Sequence, residues 1–193
     1  QQLLRAQMNP HFVFNGLNAI QDFVLSNESK EAAKWLAKFA SLMRQILNQS
    51  TFKKIMLSEE ISLLTSYLEI QQLRFNDAFD FKIEVDENID IETIKMPPML
   101  IQPLVENAIE HGVSDMKKDG YIYIKITYSE SKLNVSVTDN GKGVQKALVK
   151  NHQSLALRNI ADRLKHLGKG SSFSGISNHP SGKGAIASIH LAV

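Results

Sequence analysis

The chain has 193 residues, of which 43% are hydrophobic and none is cysteine, and its 22 basic residues nearly balance its 20 acidic ones. These values fit one large domain or two small ones, exclude a disulfide scaffold and thiolate metal sites, and give no positive field for direct binding of nucleic acid. No apolar run approaches the roughly 20 residues of a membrane-spanning helix, and no signal peptide is visible.

The first predicted helix runs from Leu3 to about Ser26 and carries His11 opposite its apolar stripe. Pro10 precedes His11 and is expected to interrupt the hydrogen-bond ladder, leaving a local kink beside it. Taken alone, such a histidine is more often structural or merely exposed than catalytic. The apolar stripe consists of Val13, Leu17, Ile20 and Val24.

Two further helices are predicted, one over residues 29–48 and one from Ser58 to about Phe75. In the later helix Ser58 is expected to be the N-cap, and Glu59 and Glu60 follow it where negative charge complements the helix dipole. The earlier helix has a broad apolar face that is either core or dimer seam. That face comprises Ala32, Ala33, Leu36, Phe39, Ala40, Met43, Ile46 and Leu47.

After Asn76-Asp77 the apolar pattern changes to period two, which predicts strands and a domain boundary near residue 76. A helix is predicted over residues 155–167, among four strands. The expected fold class is α+β, with a helical part at 1–76 and, at 77–193, an α/β sandwich whose mixed sheet is covered on one face. The strand patterns are Phe79/Phe81/Ile83/Val85, Ile122/Ile124/Ile126, Leu133/Val135/Val137 and Ala187/Ile189/Leu191/Val193.

A short helix from Leu104 carries the most distinctive polar face. Its predicted core side is Leu104, Val105, Ala108 and Ile109, and its predicted polar side is Glu106, Asn107, Glu110 and His111. Pro98 and Pro103 fit a helix entrance, and Gly112 stands where the helix is expected to stop. A solvated helix face is the ordinary interpretation of such a pattern.

The strand pattern at 133–137 leads into Asp139-Asn140-Gly141-Lys142-Gly143-Val144, a glycine-rich turn that follows a carboxylate. This turn is expected to expose backbone N–H groups beside an acid at the strand exit. An ordinary loop is the alternative interpretation, since glycine-rich turns are common. In combination with the helix that carries Asn107, the turn indicates a nucleotide site.

Four motifs, in order, resemble those of LytS-type sensor histidine kinases, and the resemblance covers nearly the whole chain from Leu3 to Val193. The last two are similar to the N box and first glycine box of the ATP-binding domain that these kinases share with type II topoisomerases and MutL. The motifs are a phosphoacceptor box at residues 7–18, Ser66-Tyr67-Leu68-Glu69-Ile70-Gln71-Gln72-Leu73-Arg74-Phe75, the N box at 104–112 and the glycine box at 139–143.

The resemblance implies a role for each site residue. His11 would be the phosphoacceptor, oriented by Asn15 or Gln7, and Asn15 could instead orient a water that hydrolyses the phosphoaspartate of a partner. Asn107 would hold Mg²⁺, since an amide oxygen is a hard neutral ligand, and Asp139 would accept a hydrogen bond from the adenine amino group of ATP. The remaining cofactor-binding residues implied are His111 beside the phosphates, Gly141, Gly143, Gly182 and Gly184.

The function implied is autophosphorylation of His11 from MgATP, followed by transfer to an aspartate of a response regulator, within a homodimer formed by the helical region. Ser154 and Ala156 stand where the family's second glycine box has glycines, and Glu110 stands where a basic residue is usual. These departures predict weak ATP binding and a lid at 144–154 that sits away from the nucleotide. The alternatives are a non-catalytic dimeric signalling module and an ATPase that does not phosphorylate itself.

The start of the chain bears on its cellular context. Gln1 already lies in helical periodicity without an initiator Met, so we expect a fragment whose upstream part is missing. The resemblance implies the cytoplasmic portion of a membrane-anchored bacterial protein. Contact with the membrane is expected only through the missing upstream segment.

Overall fold

The computed structural model describes residues 10–144, 155–167 and 170–193. Gln7 and, of the lid predicted at 144–154, residues 145–154 including Ser154 lie outside the described residues. The helices are α1 (Pro10–Leu25), α2 (Ser29–Gln49), α3 (Leu57–Arg74), α4 (Gln102–Asn107), which continues as a π-helix (Ala108–Val113), and α5 (Leu155–His166). The strands are β1 (Ile55–Met56), β2 (Phe79–Val85), β3 (Lys95–Met96), β4 (Gly120–Ser129), β5 (Lys132–Asp139), β6 (Ser172–Asn178) and β7 (Ala185–Ala192).

Helices α1 and α2 pack together at a glycine. A Cβ on Gly16 would lie 2.7 Å from the Phe39 ring and 2.9 Å from the Trp35 ring, so the absence of a side chain allows this close approach. The predicted apolar stripe of α1 is divided in the structure: Val13 and Ile20 are partly buried, whereas Leu17 and Val24 are exposed. The side of α1 that faces α2 is therefore centred on Phe12 and Gly16 rather than on Leu17.

The broad apolar face of α2 is likewise divided. The residues that α2 buries are Ala32, Trp35, Phe39, Leu42 and Ile46. Two of these, Trp35 and Leu42, were not in the predicted face, while Leu36 and Leu47 were predicted there and are exposed. The buried stripe is thus rotated by about one residue from the centre of the predicted face.

Helix α3 begins one residue earlier than predicted, and Ser58 is not its N-cap. The Ser58 hydroxyl donates to the Glu92 carboxylate at 2.9 Å, on a neighbouring loop. The N-cap is Met56, whose N–H donates to the Glu59 carboxylate at 2.8 Å. Glu59 therefore satisfies the backbone N–H of the N-cap residue, as the third residue of a capping box does.

The sandwich contains a five-stranded mixed sheet in the order β2-β4-β5-β7-β6, and four of these strands are the predicted ones. Strands β2 and β4 are parallel and the other pairs are antiparallel. Alternate residues of β4, β5 and β7 are buried, so the sheet is covered on one face. Strand β6 was not predicted, because its sequence Ser-Phe-Ser-Gly-Ile-Ser-Asn has few apolar residues and a register shift between Phe173 and Ile176 breaks the alternation.

One hydrophobic core joins the sheet to the helices. Its members include Leu68 of α3, Leu104 of α4 and Leu164 of α5 with the inward residues of the strands. The same core reaches α1 and α2 through Phe12 and Trp35. Within the described ranges, no helix has both the length and the apolar character that crossing a membrane requires.

Candidate functional site

The helix that carries Asn107 is confirmed, but its second half is a π-helix. The four predicted core residues are buried, and Glu110 and His111 are exposed as expected. Glu106 was predicted on the polar face and is instead buried, with its carboxylate accepting from Gln102 Nε2 at 3.0 Å. Gly112 lies inside the π-helix rather than at its end. Single π turns inside helices are frequent at functional sites.

Gly112 lets the helix lie directly against the end of strand β5. A Cβ at Gly112 would be 2.6 Å from Cγ and 2.7 Å from Oδ1 of Asp139. A Cβ at Gly141 would in turn meet the carbonyl oxygen of Gly112 and lie 2.6 Å from its Cα. Two glycines therefore bring the helix and the predicted glycine turn into contact around the Asp139 carboxylate.

Asp139 is the last residue of β5 and is 5% exposed. Its Oδ1 accepts the Gly141 N–H at 2.9 Å and the Ala185 N–H at 3.3 Å, so neither bond uses Oδ2. Burial raises the pKa of this carboxyl, against the opposing effect of the two backbone donors and of nearby His179. The prediction that this turn exposes its backbone N–H groups is therefore wrong for Gly141, whose N–H is bonded to Asp139.

The turn between β6 and β7 completes the surroundings of Asp139. Gly184 has φ +80°, and a Cβ there would collide with the Asp139 carbonyl oxygen and lie 2.9 Å from Cα of Asn140. Gly143, with φ +71°, lies against Gly184, where a Cβ would come within 3.1 Å of the Gly184 carbonyl oxygen. Gly182 has φ +82° but no neighbouring atom within 4 Å, so its role in the structure is conformational.

Two asparagines beside the turn were not singled out from the sequence. Asn140 accepts the Tyr121 N–H at 2.7 Å and donates to the Asp119 carbonyl at 2.7 Å, which ties the start of β4 to the end of β5. Asn178 accepts the Val144 N–H at 2.6 Å. Asn140 had one visible signal, since an asparagine next to glycine in a turn often bonds the backbone.

Helix α1 contacts α2 and α3 through Phe12, the residue after His11. The Phe12 ring lies 5.6 Å from the Phe39 ring and 5.1 Å from the Tyr67 ring. Burial raises the pKa of Tyr67, and the charges of Glu106 and Glu110 raise it further. His11 is the second residue of α1, and its side chain lies outside the described residues. Asn15 is half-buried on the same helix.

The structure brings Gly112 together with four predicted site residues, which are Asp139, Gly141, Gly143 and Gly184. Two other predicted site residues, Asn107 and His111, belong to the helical segment that contains Gly112 and packs against the sheet. Within residues 10–144, 155–167 and 170–193, no group of three acidic or histidine side chains could hold a metal ion on its own. Half-buried Asn107 supplies a single amide oxygen. One such ligand fits Mg²⁺, which keeps several waters and takes its other oxygens from phosphates.

Comparison with known proteins assigns both halves of the chain. A family described as "Histidine kinase" matches residues 1–79, and one described as "Histidine kinase-, DNA gyrase B-, and HSP90-like ATPase" matches residues 97–190. The Bacillus subtilis protein YwpD is 36% identical over 98% of this chain and 69% of its own length. Sensor protein LytS of Oceanobacillus iheyensis is 37% identical over 76% of this chain, and the match spans 24% of that protein.

Solved structures show the same fold at lower identity. The histidine kinase domain of the Erythrobacter litoralis EL346 blue-light activated histidine kinase has a TM-score of 0.58 at 14% identity, covering 98% of this chain and 91% of that one. The catalytic domain of histidine kinase ThkA has a TM-score of 0.54 at 19% identity, covering 72% of this chain and 95% of that one. ThkA in complex with response regulator protein TrrA has a TM-score of 0.53 at 18% identity, covering 94% of this chain and 59% of that one. The expected fold class is confirmed.

Proposed function

The chain belongs to the LytS-type sensor histidine kinase family, and from that premise we propose that it is the core of a two-component sensor kinase. It transfers the γ-phosphoryl group of ATP to His11 and passes that group to an aspartate of a response regulator. The observation that carries the proposal is the buried Asp139 carboxylate, which lies against Gly112 and accepts the Gly141 and Ala185 N–H groups. A buried acceptor in such a narrow setting suits the amino group of adenine and not guanine, which has an acceptor at that position.

The transfer to His11 uses the neutral imidazole, which is available near neutral pH. A ring nitrogen attacks the γ-phosphorus, so that a P–N bond forms as the bond to the departing ADP oxygen breaks, and the imidazole releases its N–H proton to solvent. The phosphoryl group then moves from nitrogen to a carboxylate oxygen of the response regulator. Asn15, one helical turn after His11, is suited to orient the imidazole, or a water that later hydrolyses the phosphoaspartate.

Nucleotide binding divides between two ends of the site. Asp139, fixed on the sheet, takes the adenine, and Asn107 and His111, on the α4–π-helix segment, take the phosphate end. Mg²⁺ bound to ATP neutralises phosphate charge in such transfers, and the Asn107 amide oxygen is the ligand that this chain would supply. Phosphoryl transfer requires mainly positioning and charge stabilisation, which these groups are suited to provide.

The partners follow from the same family. The solved complex of ThkA with a response regulator supports a response regulator as the recipient of the phosphoryl group. The exposed apolar side chains of α1 and α2 support a homodimer through the helical region. The chain spans about a quarter of the LytS relative, so membrane anchoring and the cytoplasmic location of this part are proposed for the longer protein.

A second candidate is a dimeric signalling module without kinase activity. It is favoured by Glu110, which is exposed on the π-helix beside His111 and would bring negative charge toward the phosphates. The departures at Ser154 and Ala156 favour it too, although Ser154 and the Ala156 side chain lie outside the described residues. An ATPase that does not phosphorylate itself is the third hypothesis. The experiments described next distinguish the three.

Incubation with γ-labelled ATP and Mg²⁺ tests the hypothesis that the chain phosphorylates His11. We expect label that is labile in acid and stable in base, absent in His11→Gln and retained in His166→Gln, a change at an exposed histidine of α5. Label that persists in His11→Gln would refute His11 as the acceptor. ATP hydrolysis without labelling would indicate the ATPase.

Calorimetric titration of MgATP into the wild type and into Ser154→Gly/Ala156→Gly tests the consequence of the missing glycines. Residues with a Cβ reach the required backbone conformation at a cost of roughly 1 kcal/mol each, so we expect weak binding that the double variant improves about tenfold or more. Absence of binding in both proteins would favour the signalling module. Tight binding by the wild type would show that these positions do not limit affinity.

A further inference from the structure

The segment that leads into α4 is held by two side chains from opposite parts of the molecule. This segment, residues 98–101, is buried throughout, and its Met99 has φ +52° although it is not glycine. A non-glycine residue in this region persists only where its surroundings fix it. Met99 is held in this conformation by side chains from α3 and α5.

Glu60 of α3 holds the N–H side of the segment. Its carboxylate accepts the Met99 N–H at 2.8 Å, the Leu100 N–H at 2.9 Å and the Ile101 N–H at 3.1 Å. Glu60 is 1% exposed, so these donors stand in for water around the carboxylate. Because Ile101 is the N-cap of α4, the carboxylate lies close to the start of that helix, where negative charge is stabilising.

Arg163 of α5 holds the carbonyl side. Its Nη1 donates to the Met99 carbonyl at 3.0 Å, and its Nη2 donates to the Pro98 carbonyl at 2.7 Å. The planar guanidinium binds two successive carbonyls at once, which a lysine ammonium cannot reproduce in the same geometry. Both backbone polar groups of Met99 are thus hydrogen-bonded, the N–H to α3 and the C=O to α5.

We propose that Glu60 and Arg163 are positioning residues for the phosphate end of the nucleotide site, because together they fix the conformation of Met99 and so the direction in which α4 carries Asn107. This inference rests on the proposed function. Helix α4 starts at Gln102 and reaches Asn107 within six residues, so a change of backbone direction at Met99 displaces the Asn107 side chain directly. Asp139 is held instead by Gly141 and Ala185, through bonds that do not involve this segment.

The same geometry couples the two halves of the chain. Helix α3 also carries Tyr67, which contacts the Phe12 ring of the phosphoacceptor helix. A shift of α3 relative to the sheet therefore changes the setting of the residue next to His11 and, through Glu60, the setting of Asn107. The position of α3 therefore affects both the phosphoacceptor His11 and the proposed Mg²⁺ ligand Asn107.

The test measures nucleotide affinity with and without Mg²⁺ in the wild type, Glu60→Gln and Arg163→Lys. Each change keeps the approximate size of the side chain while removing the second carboxylate oxygen or the guanidinium fork. We expect ADP affinity without Mg²⁺ to stay within twofold of the wild type, because Asp139 is undisturbed, and the gain on adding Mg²⁺ to fall about tenfold. The matched controls are Glu59→Gln, the neighbouring carboxylate that bonds Met56, and Lys165→Ala on the exposed side of α5.

Hydrogen exchange supplies a readout that does not depend on nucleotide. In Glu60→Gln only one acceptor oxygen remains, so at least one of the Met99, Leu100 and Ile101 amides should lose protection, whereas all three should keep it in Glu59→Gln. If affinities with and without Mg²⁺ fall in parallel, the two residues serve stability only and the inference is overturned, as it is if both stay unchanged. If the wild type binds ADP but gains nothing from Mg²⁺, the inference fails alone, whereas a wild type that binds no nucleotide overturns the proposed function as well. Should Glu60→Gln not fold, Arg163→Lys decides by the same measurements.

Discussion

The α1–α2 hairpin and the sheet differ in how far their large apolar side chains are exposed to solvent. In the hairpin Phe14 is 65% exposed and Leu25 is 74% exposed, whereas the inward residues of β4 and β5, such as Ile124 and Leu133, are 0% exposed. Both regions have regular apolar patterns, so composition does not account for the difference. The sheet is covered by helices of its own chain, and the hairpin packs only on one side against α3 and the rest of the core.

This contrast shows where each region can tolerate change. Around Asp139 backbone meets backbone, so even one methyl group has no space. In the hairpin a residue on the inner side, such as Phe12, is fixed by neighbouring rings, while a residue on the outer side has water around it in the single chain. Substitutions paired within each region can separate steric, packing and surface effects.

The largest effect is expected from Gly184→Ala, with Gly182→Ala as its matched control. Both glycines lie in the β6–β7 turn at nearly the same φ, +80° and +82°, but only Gly184 contacts Asp139. We expect Gly182→Ala to lower the free energy of unfolding by about 1 kcal/mol through its positive φ, and Gly184→Ala by about 4 kcal/mol because overpacking is added. Urea denaturation measures both, and equal losses would show that the backbone contact at Asp139 is not tight.

The next largest effect is expected from Phe12→Ala, compared with Phe14→Ala two residues away on the same helix. Phe12 packs between the Phe39 and Tyr67 rings, so its removal should cost about 3 kcal/mol. Phe14 is exposed, and its removal should change the stability of the single chain by less than about 0.5 kcal/mol. The one tryptophan, Trp35, stacks on Phe39 and reports unfolding of the hairpin by fluorescence. Similar costs for the two changes would contradict the packing described here.

The same contrast explains which parts of the fold the sequence could predict. Strands β4, β5 and β7 alternate because one side of each is buried, and period two reveals this directly. Strand β2 alternates in sequence, although Phe79 is its one buried residue. Helix periodicity located α1 and α2 but not their inner sides, since each helix has more apolar residues than the side that packs within the chain. Strand β6 and the short strands β1 and β3 have too little pattern of their own and depend on neighbours remote in sequence.

At the candidate site, the sequence could indicate residue types but not contacts. The carboxylate and the glycines of the turn were visible at 139–143, yet the inward bond from the Gly141 N–H to Asp139 depends on how Gly112 packs. From the sequence, Glu60 is expected, like Glu59, to complement the dipole of α3 from its first turn. It shares the buried stripe of α3 with Leu64 and Leu68, and that spacing was an available signal for a buried carboxylate. The role of Met99 had no sequence signal, because a positive φ at methionine follows from tertiary bonds.

A smaller effect is expected in the pH dependence of nucleotide binding. Burial raises the pKa of Asp139, so its carboxylate gains a proton at a higher pH than an ordinary aspartate does. Binding that needs the charged acceptor should therefore weaken as pH falls through that raised pKa. Stability should respond in the opposite direction, since a raised pKa favours the folded state at low pH and that contribution is lost as pH rises through it.

Asp139→Asn provides the reference for this profile. Its ATP affinity at neutral pH should be about tenfold weaker than that of the wild type, equivalent to about 1.4 kcal/mol, and the ratio of the two affinities should shrink as the pH is lowered. Taking the ratio cancels protonation of the ATP phosphates. His179→Gln is a further control, because His179 is the side chain whose charge opposes the shift. A ratio that is constant with pH would exclude Asp139 from adenine recognition.

The smallest effect on the stability of the single chain is expected at the outer side of the hairpin, where the effect on assembly is large. Leu17 and Val24 lie seven residues apart on one side of α1, and Leu36 and Leu47 form the matching exposed stripe of α2. Joining two hairpins along these stripes would bury the side chains that the single chain leaves in water. In sedimentation equilibrium we expect the wild type to be a dimer and Leu17→Glu a monomer, with unfolding of the monomer changed by less than about 0.5 kcal/mol. Tyr128→Glu introduces the same charge at a comparably exposed apolar position on the sheet and should leave the dimer intact. A wild type that stays monomeric at all concentrations, or a Leu17→Glu variant that stays dimeric, would show that these stripes are not the dimer seam and that the hairpin is stable with its apolar side in water.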